Sequence, residues 1–121
     1  MRKYLLHILI ISFVFLLAPT VHVATCAGEI EDAKEEVREN PDDESAHFNL
    51  GYAYYKSGMY KEAIESFRQA IRIDPDDAGA HFNLGDAYLG LNDEDSALEQ
   101  HEILKSLDSE LANKLFNLIN E

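Results

Sequence analysis

Ten residues beginning at Ala46, AHFNLGYAYY, return thirty-four residues later at Ala80 as AHFNLGDAYL. A chain that repeats one stretch at a fixed interval of this size is built from copies of one supersecondary unit, and that decides its architecture. Aligned without gaps, residues 44–77 and 78–111 agree at eleven positions, eight of them between Ala46 and Tyr54. His47, Leu50, Gly51 and Tyr54 are spaced i, i+3, i+4 and i+7, which is one face of a helix. Gly51 and Gly85 each cost about 1 kcal/mol of helix propensity relative to alanine. The same sacrifice in the same register predicts that another backbone passes close there. Ala63, Ala70 and Ala97 are the matching small residues on the helices that follow.

Turn chemistry divides these copies into helices. Gly58 takes the left-handed conformation that ends a helix, and Asn92 can do so one period later. Pro75 stops the next helix, and Asp76 or Asp77 caps the one after it. The pattern predicts helices over 30–40, 43–57, 60–74, 77–90, 93–107 and 109–120, three pairs in all. In the last segment Leu111, Leu115, Leu118 and Ile119 form an apolar stripe, while Asn113, Lys114, Asn117 and Asn120 are polar. A capping helix needs that division, because each unit of a stacked array buries its apolar face only against a neighbour. The stripe of the first helix is thinner, only Ile30, Ala33 and Val37, which leaves self-association through that end open.

His47-x-x-Leu50-Gly51-x-x-Tyr54, then Ala63-x-x-x-Phe67, then Pro75 follow the spacing of the tetratricopeptide repeat, with histidine where tryptophan is frequent. The second copy keeps His81-x-x-Leu84-Gly85-x-x-Tyr88 and Ala97, then departs, with His101 in the aromatic slot and Ser109 in the proline slot. Over residues 44–111 the chain resembles the tetratricopeptide family, as repeats at 44–77 and 78–111. Pro41 lies one period before Pro75, so 28–43 is similar to a degraded half-repeat, and 109–121 reads as the capping helix. The resemblance implies an all-α fold, a short right-handed α-solenoid of antiparallel helix pairs. It also implies an inner groove for an extended or helical peptide, lined from the first helix of each pair. The groove slots hold Ser45, Phe48, Tyr52, Tyr55 and Lys56 in one copy, and Phe82, Asp86 and Leu89 in the other. Packing against the adjacent pair explains Phe48 and Phe82 equally well. Asn49 and Asn83 sit in slots that some members use to clamp carboxylates, but Phe48 and Phe82 stand where that clamp needs lysine.

Other chemistries find less support. His47 and His81 belong to neighbouring copies, about 8–10 Å apart at ordinary helix-packing distance. One zinc ion, bound to nitrogen at about 2 Å, cannot use both. His101 could approach His81, but two imidazoles lack a third ligand. No phosphate loop or nucleophile elbow is present, so no enzyme activity and no cofactor is expected. With 23 acidic against 10 basic residues, the chain repels nucleic-acid backbones. The expected function is a protein–protein interaction module or scaffold with a protein or peptide partner. The alternative is a structural subunit of an envelope-associated assembly; a histidine metal-binding protein ranks third.

Residues 1–27 carry the export signature. Arg2 and Lys3 precede an apolar run from Leu5 to Leu17, then Pro19, then small residues. Three fates stay open: cleavage after Ala27, an uncleaved membrane anchor, or lipidation at Cys26, since Val23-Ala24-Thr25-Cys26 resembles a bacterial lipoprotein box. Each places the chain outside the cytoplasm, periplasmic or extracellular, with any membrane tether confined to 1–27.

Overall fold

The computed structural model describes residues 25–121, which are all helix and connecting turn. Helix α1 covers 25–39, followed by α2 (Glu44–Lys56), α3 (Tyr60–Ile73), α4 (Ala78–Gly90), α5 (Glu94–Leu107) and α6 (Ser109–Ile119). Turns of one to four residues fold consecutive helices back on each other, and α2 with α3, then α4 with α5, form the two repeats. The chain is an all-α solenoid closed by α6, which packs on both α4 and α5. The sequence-predicted helices lie within about two residues of these, except at the start. There the helix already includes 25–29, and Glu29 within it pairs with Lys56 of α2 at 2.8 Å. Most of the export segment, residues 1–24, lies outside the described residues. Among those described, no helix is long and apolar enough to cross a membrane.

Local chemistry sets the boundaries. Gly58 and Asn92, at φ 72° and 58°, are left-handed and end the first helix of each pair. Asp43, Asp77, Asp93 and Asp108 cap α2, α4, α5 and α6, each carboxylate accepting from backbone N–H groups of the first turn. Asp77 fills that role rather than Asp76, accepting from Gly79 N at 2.8 Å.

The repeated glycines receive side chains, which corrects the expectation of a close backbone. A β-carbon on Gly51 would lie 2.7 Å from the Phe67 ring, and one on Gly85 would lie 2.5 Å from a Leu115 methyl. Each glycine is a seat for a large residue, and Phe67 and Leu115 are both fully buried. The two seats are filled from different helices. In the first repeat the occupant is the aromatic of its own second helix. In the second, His101 holds that slot but turns away: its Nδ1 lies 3.0 Å from the Ala112 carbonyl and its ring packs on Phe116. Leu115 of α6 enters the space instead. The departure of the second copy at residue 101 is therefore what admits the cap.

The cores follow the same division. Ala63, Ile64, Phe67, Leu84 and Ala87 form one cluster across α3 and α4; Leu104, Ala112 and Leu115 form the other across α5 and α6. In α1 Ala33 is buried, with Ile30 and Val37 half-buried beside it.

One carboxyl works against this packing. Glu44 opens α2 beside Asp77, and its Oε1 is shut from solvent with no hydrogen-bond partner among the described residues. Burial, and then the Asp77 carboxyl, push the Glu44 carboxyl above its ordinary 4.5. Native protein therefore binds this proton more tightly than unfolded chain does, and stability falls as pH rises through the raised value. Glu44→Gln is expected to exceed the parent in denaturant stability at pH 7, with the gap closing well below pH 4.5. Gly51→Ala is expected to destabilise, because overpacking costs about 1–3 kcal/mol against ~1 kcal/mol of regained helix propensity. The midpoint of chemical denaturation measures it.

Candidate peptide-binding groove

The residues at the groove slots line one side of α2 and α4. Tyr52, 48 % exposed, is the most open aromatic there, and it stacks on Tyr55 with ring centroids 6.5 Å apart. Tyr55 in turn meets Tyr60 edge-on at 5.7 Å and donates its hydroxyl to Asp86 of α4 at 2.7 Å. Burial, then that hydrogen bond, raise the Tyr55 hydroxyl well above the ordinary tyrosine value, so it stays a donor throughout the physiological range. The Tyr55–Asp86 bond ties the two repeats together across the groove floor. It engages one oxygen of the Asp86 carboxylate, Oδ2.

Phe48 and Phe82 sit deeper. Phe48 is half-buried and packs edge-on against Phe67 at 5.7 Å; Phe82 lies against the Leu104–Ala112–Leu115 cluster, as does Leu89. Both are half-buried and packed against the core. Ser45 is exposed at the start of α2, where its hydroxyl donates to Glu44 at 3.3 Å.

Helix α1 supplies a wall that the sequence-predicted site lacked. Lys56 pairs with Glu29 at 2.8 Å while its ammonium stands 5.9 Å from the Tyr52 ring centre. The Glu29 hydrogen bond raises the Lys56 ammonium above its ordinary value. Between α1 and α2 lies a cleft of about 350 Å³ lined by Glu29, Asp32, Ala33, Glu36, Tyr52 and Lys56. Asn49 reaches across to Glu36 at 3.3 Å, a structural tie in place of a carboxylate clamp. The spacing 29, 32, 36 puts these three acids on one helical face, a signal readable once α1 is taken as the second helix of an earlier pair.

The histidines hold the turns. Nε2 of His47 lies 2.8 Å from the Pro41 carbonyl, and Nε2 of His81 lies 2.8 Å from the Pro75 carbonyl. A carbonyl only accepts, so Nε2 carries the proton in both, and each histidine staples its helix to the turn before it. His81 is buried and its Nδ1 meets the Gln100 side-chain amide at 2.8 Å. Position 66, one period before Gln100, is serine, and among the described residues the His47 ring hydrogen-bonds only to the Pro41 carbonyl. His101 is turned to Ala112, away from any shared site with His81. Among the described residues no three of His, Cys, Asp or Glu are grouped to hold a metal ion.

Residues 52–92, which span this groove from Tyr52 through α4, match the family model of the TPR repeat. The chain has the tetratricopeptide-repeat (TPR) fold, with the family match confined to residues 52–92. The TPR fold is shared with the TPR2B domain of yeast Sti1, solved as a pHsp70 complex, at 20% identity and TM-score 0.73, covering 83% of this chain and 86% of that one. The Arabidopsis OM64 TPR domain superposes at TM-score 0.74 with 14% identity, covering 84% and 86%. PcrH, in complex with the chaperone-binding region of PopD, gives 0.72 with 15% identity, covering 99% and 91%. No match is found among curated proteins. At these identities the structural likeness carries the TPR fold, and the fold is what it establishes.

Tyr55→Phe removes the bond between the two TPR units and leaves Asp86 unpaired. It is expected to lower stability by about 1 kcal/mol, measured by denaturant unfolding, with helix content unchanged.

Proposed function

We propose that this chain is an exported, non-catalytic interaction module whose groove on α1, α2 and α4 receives a segment of a partner protein. The observation that carries this reading is the Tyr52–Tyr55 stack. Tyr55 is anchored by Asp86 and Tyr60, and the half-exposed Tyr52 ring stacks on it. Pre-ordered aromatic surface gives much binding area for little lost side-chain freedom. Sti1 and PcrH, which share the fold, were each solved with a protein segment bound. Phe48, Phe82 and Leu89 supply apolar edges along the floor, and Ser45 and Lys56 lie at its margins. Glu29, Asp32 and Glu36 give the α1 side an acidic rim. That rim favours an apolar segment of neutral or basic character and repels an acidic one. Export, to the periplasm or the cell exterior, rests on the charged start and apolar run within residues 1–27, with Cys26 as the lipid attachment point if the tether is a lipid.

Cross-linked capture with the full-length protein and with Tyr52→Ala/Phe82→Ala tests the groove, circular dichroism confirming that the variant stays helical. The expected result is loss of a captured partner from the folded variant. Retention of every partner would contradict the groove assignment.

A further inference from the structure

A second cleft lies on the opposite side of α4 from the groove. Its α4 residues, Leu84 and Tyr88, point away from the face that carries Phe82, Asp86 and Leu89. The volume is about 590 Å³, walled by α3 and α5, with Ile71, Leu84 and Ile103 as apolar lining and a polar lining that includes Arg68, Arg72 and Tyr88 together with Glu65 and Glu99. Ile103 is 39 % exposed.

The charge there is unlike the rest of the surface. Of the ten lysines and arginines, Arg2 and Lys3 precede the described residues. Lys34, Arg38, Lys56, Lys105 and Lys114 each pair with a glutamate. Lys61, Arg68 and Arg72 have no carboxylate within 4.0 Å among the described residues, although acids outnumber bases 23 to 10. All three lie on α3, where 61, 65, 68 and 72 form one outward stripe. Glu65 interrupts the stripe but accepts from Gln69 at 2.9 Å, and Glu99 stands on the α5 wall. The Tyr88 hydroxyl has no partner among the described residues. Two guanidinium groups one turn apart, each free to fork onto a carboxylate, thus border an apolar trough.

We infer that the α3–α5 cleft is a second docking surface, for an acidic segment of a partner protein that carries apolar side chains beside its carboxylates. The apolar side chains lie against Ile71, Leu84 and Ile103, and the carboxylates reach Arg68 and Arg72. Charge complementarity selects this occupant. A second copy of the chain would bring its formal charge of −13 against an equal one, and the acidic groove on the other face rejects the same segment. Two faces of opposite preference let one module bridge two partners.

The test is fluorescence anisotropy on the full-length protein with a labelled Leu-Glu-Glu-Leu peptide, and with Leu-Lys-Lys-Leu as control. Saturable binding of the glutamate peptide is expected, weakened about tenfold or more in Arg68→Gln/Arg72→Gln. Circular dichroism checks that this variant is folded. Tyr52→Ala/Phe82→Ala is expected to leave that affinity unchanged, which separates this surface from the groove. No saturable binding, equal affinity for the lysine peptide, or a loss in the groove variant instead would overturn the inference. So would sedimentation showing self-association of the parent that the arginine variant abolishes, since a second copy would then be the occupant.

Discussion

The structure depends on a large side chain seated on a helical glycine. A large side chain can lie directly against a helix backbone where that helix lacks a β-carbon, and Gly51 and Gly85 provide that gap at the same point of each repeat. Phe67 fills the first and Leu115 the second, both without solvent exposure. From these contacts follow the pairing of α2 with α3, the place of α6 over α4, and the positions of the two apolar clusters. The loss of helix propensity at each glycine is offset by burial of the side chain it admits, worth about 1.5–3 kcal/mol for a Leu or Phe.

Once these contacts orient α2 and α4, the tyrosines have little freedom left. Tyr55 is held by Asp86 on one side and Tyr60 on the other, which leaves Tyr52 as the projecting ring. The same orientation turns the opposite side of α4 toward the α3–α5 cleft, so the two surfaces share one helix. Acids concentrate where α1 meets α2, and the unpaired cations concentrate on α3. The faces are thus distinguished by charge as well as by shape.

Much of this was legible in the sequence because it is local. The positive φ at Gly58 and Asn92 and the cap at Asp77 follow from residues within a turn of where they act. The thirty-four-residue period gave the helix pairs, since identical stripes demand identical packing. Three features were not legible, and each is a contact between elements that the period does not relate. Leu115 on Gly85 joins the second repeat to a helix outside the repeat. Lys56 with Glu29 joins the first repeat to the α1 residues that precede the expected helix start at 30. The half-burial of Phe48 and Phe82 depends on how far neighbouring helices lean over them, which spacing alone leaves open. The histidines look like ligands in the sequence because they recur. They recur because each repeat begins with the same proline turn, and the imidazole is the staple that holds it.

The most direct test of this account is native-state hydrogen exchange on Leu115→Ala. Emptying a seat of this kind costs about 2–5 kcal/mol. In a stacked array that cost falls first on the units that share the contact. Protection is predicted to drop in α4, α5 and α6 while amides of α2 and α3, seated through Phe67 and Gly51, keep most of theirs. Unchanged protection in α4, or an equal loss across all helices, would contradict the claim that each repeat is closed by the side chain seated on its glycine.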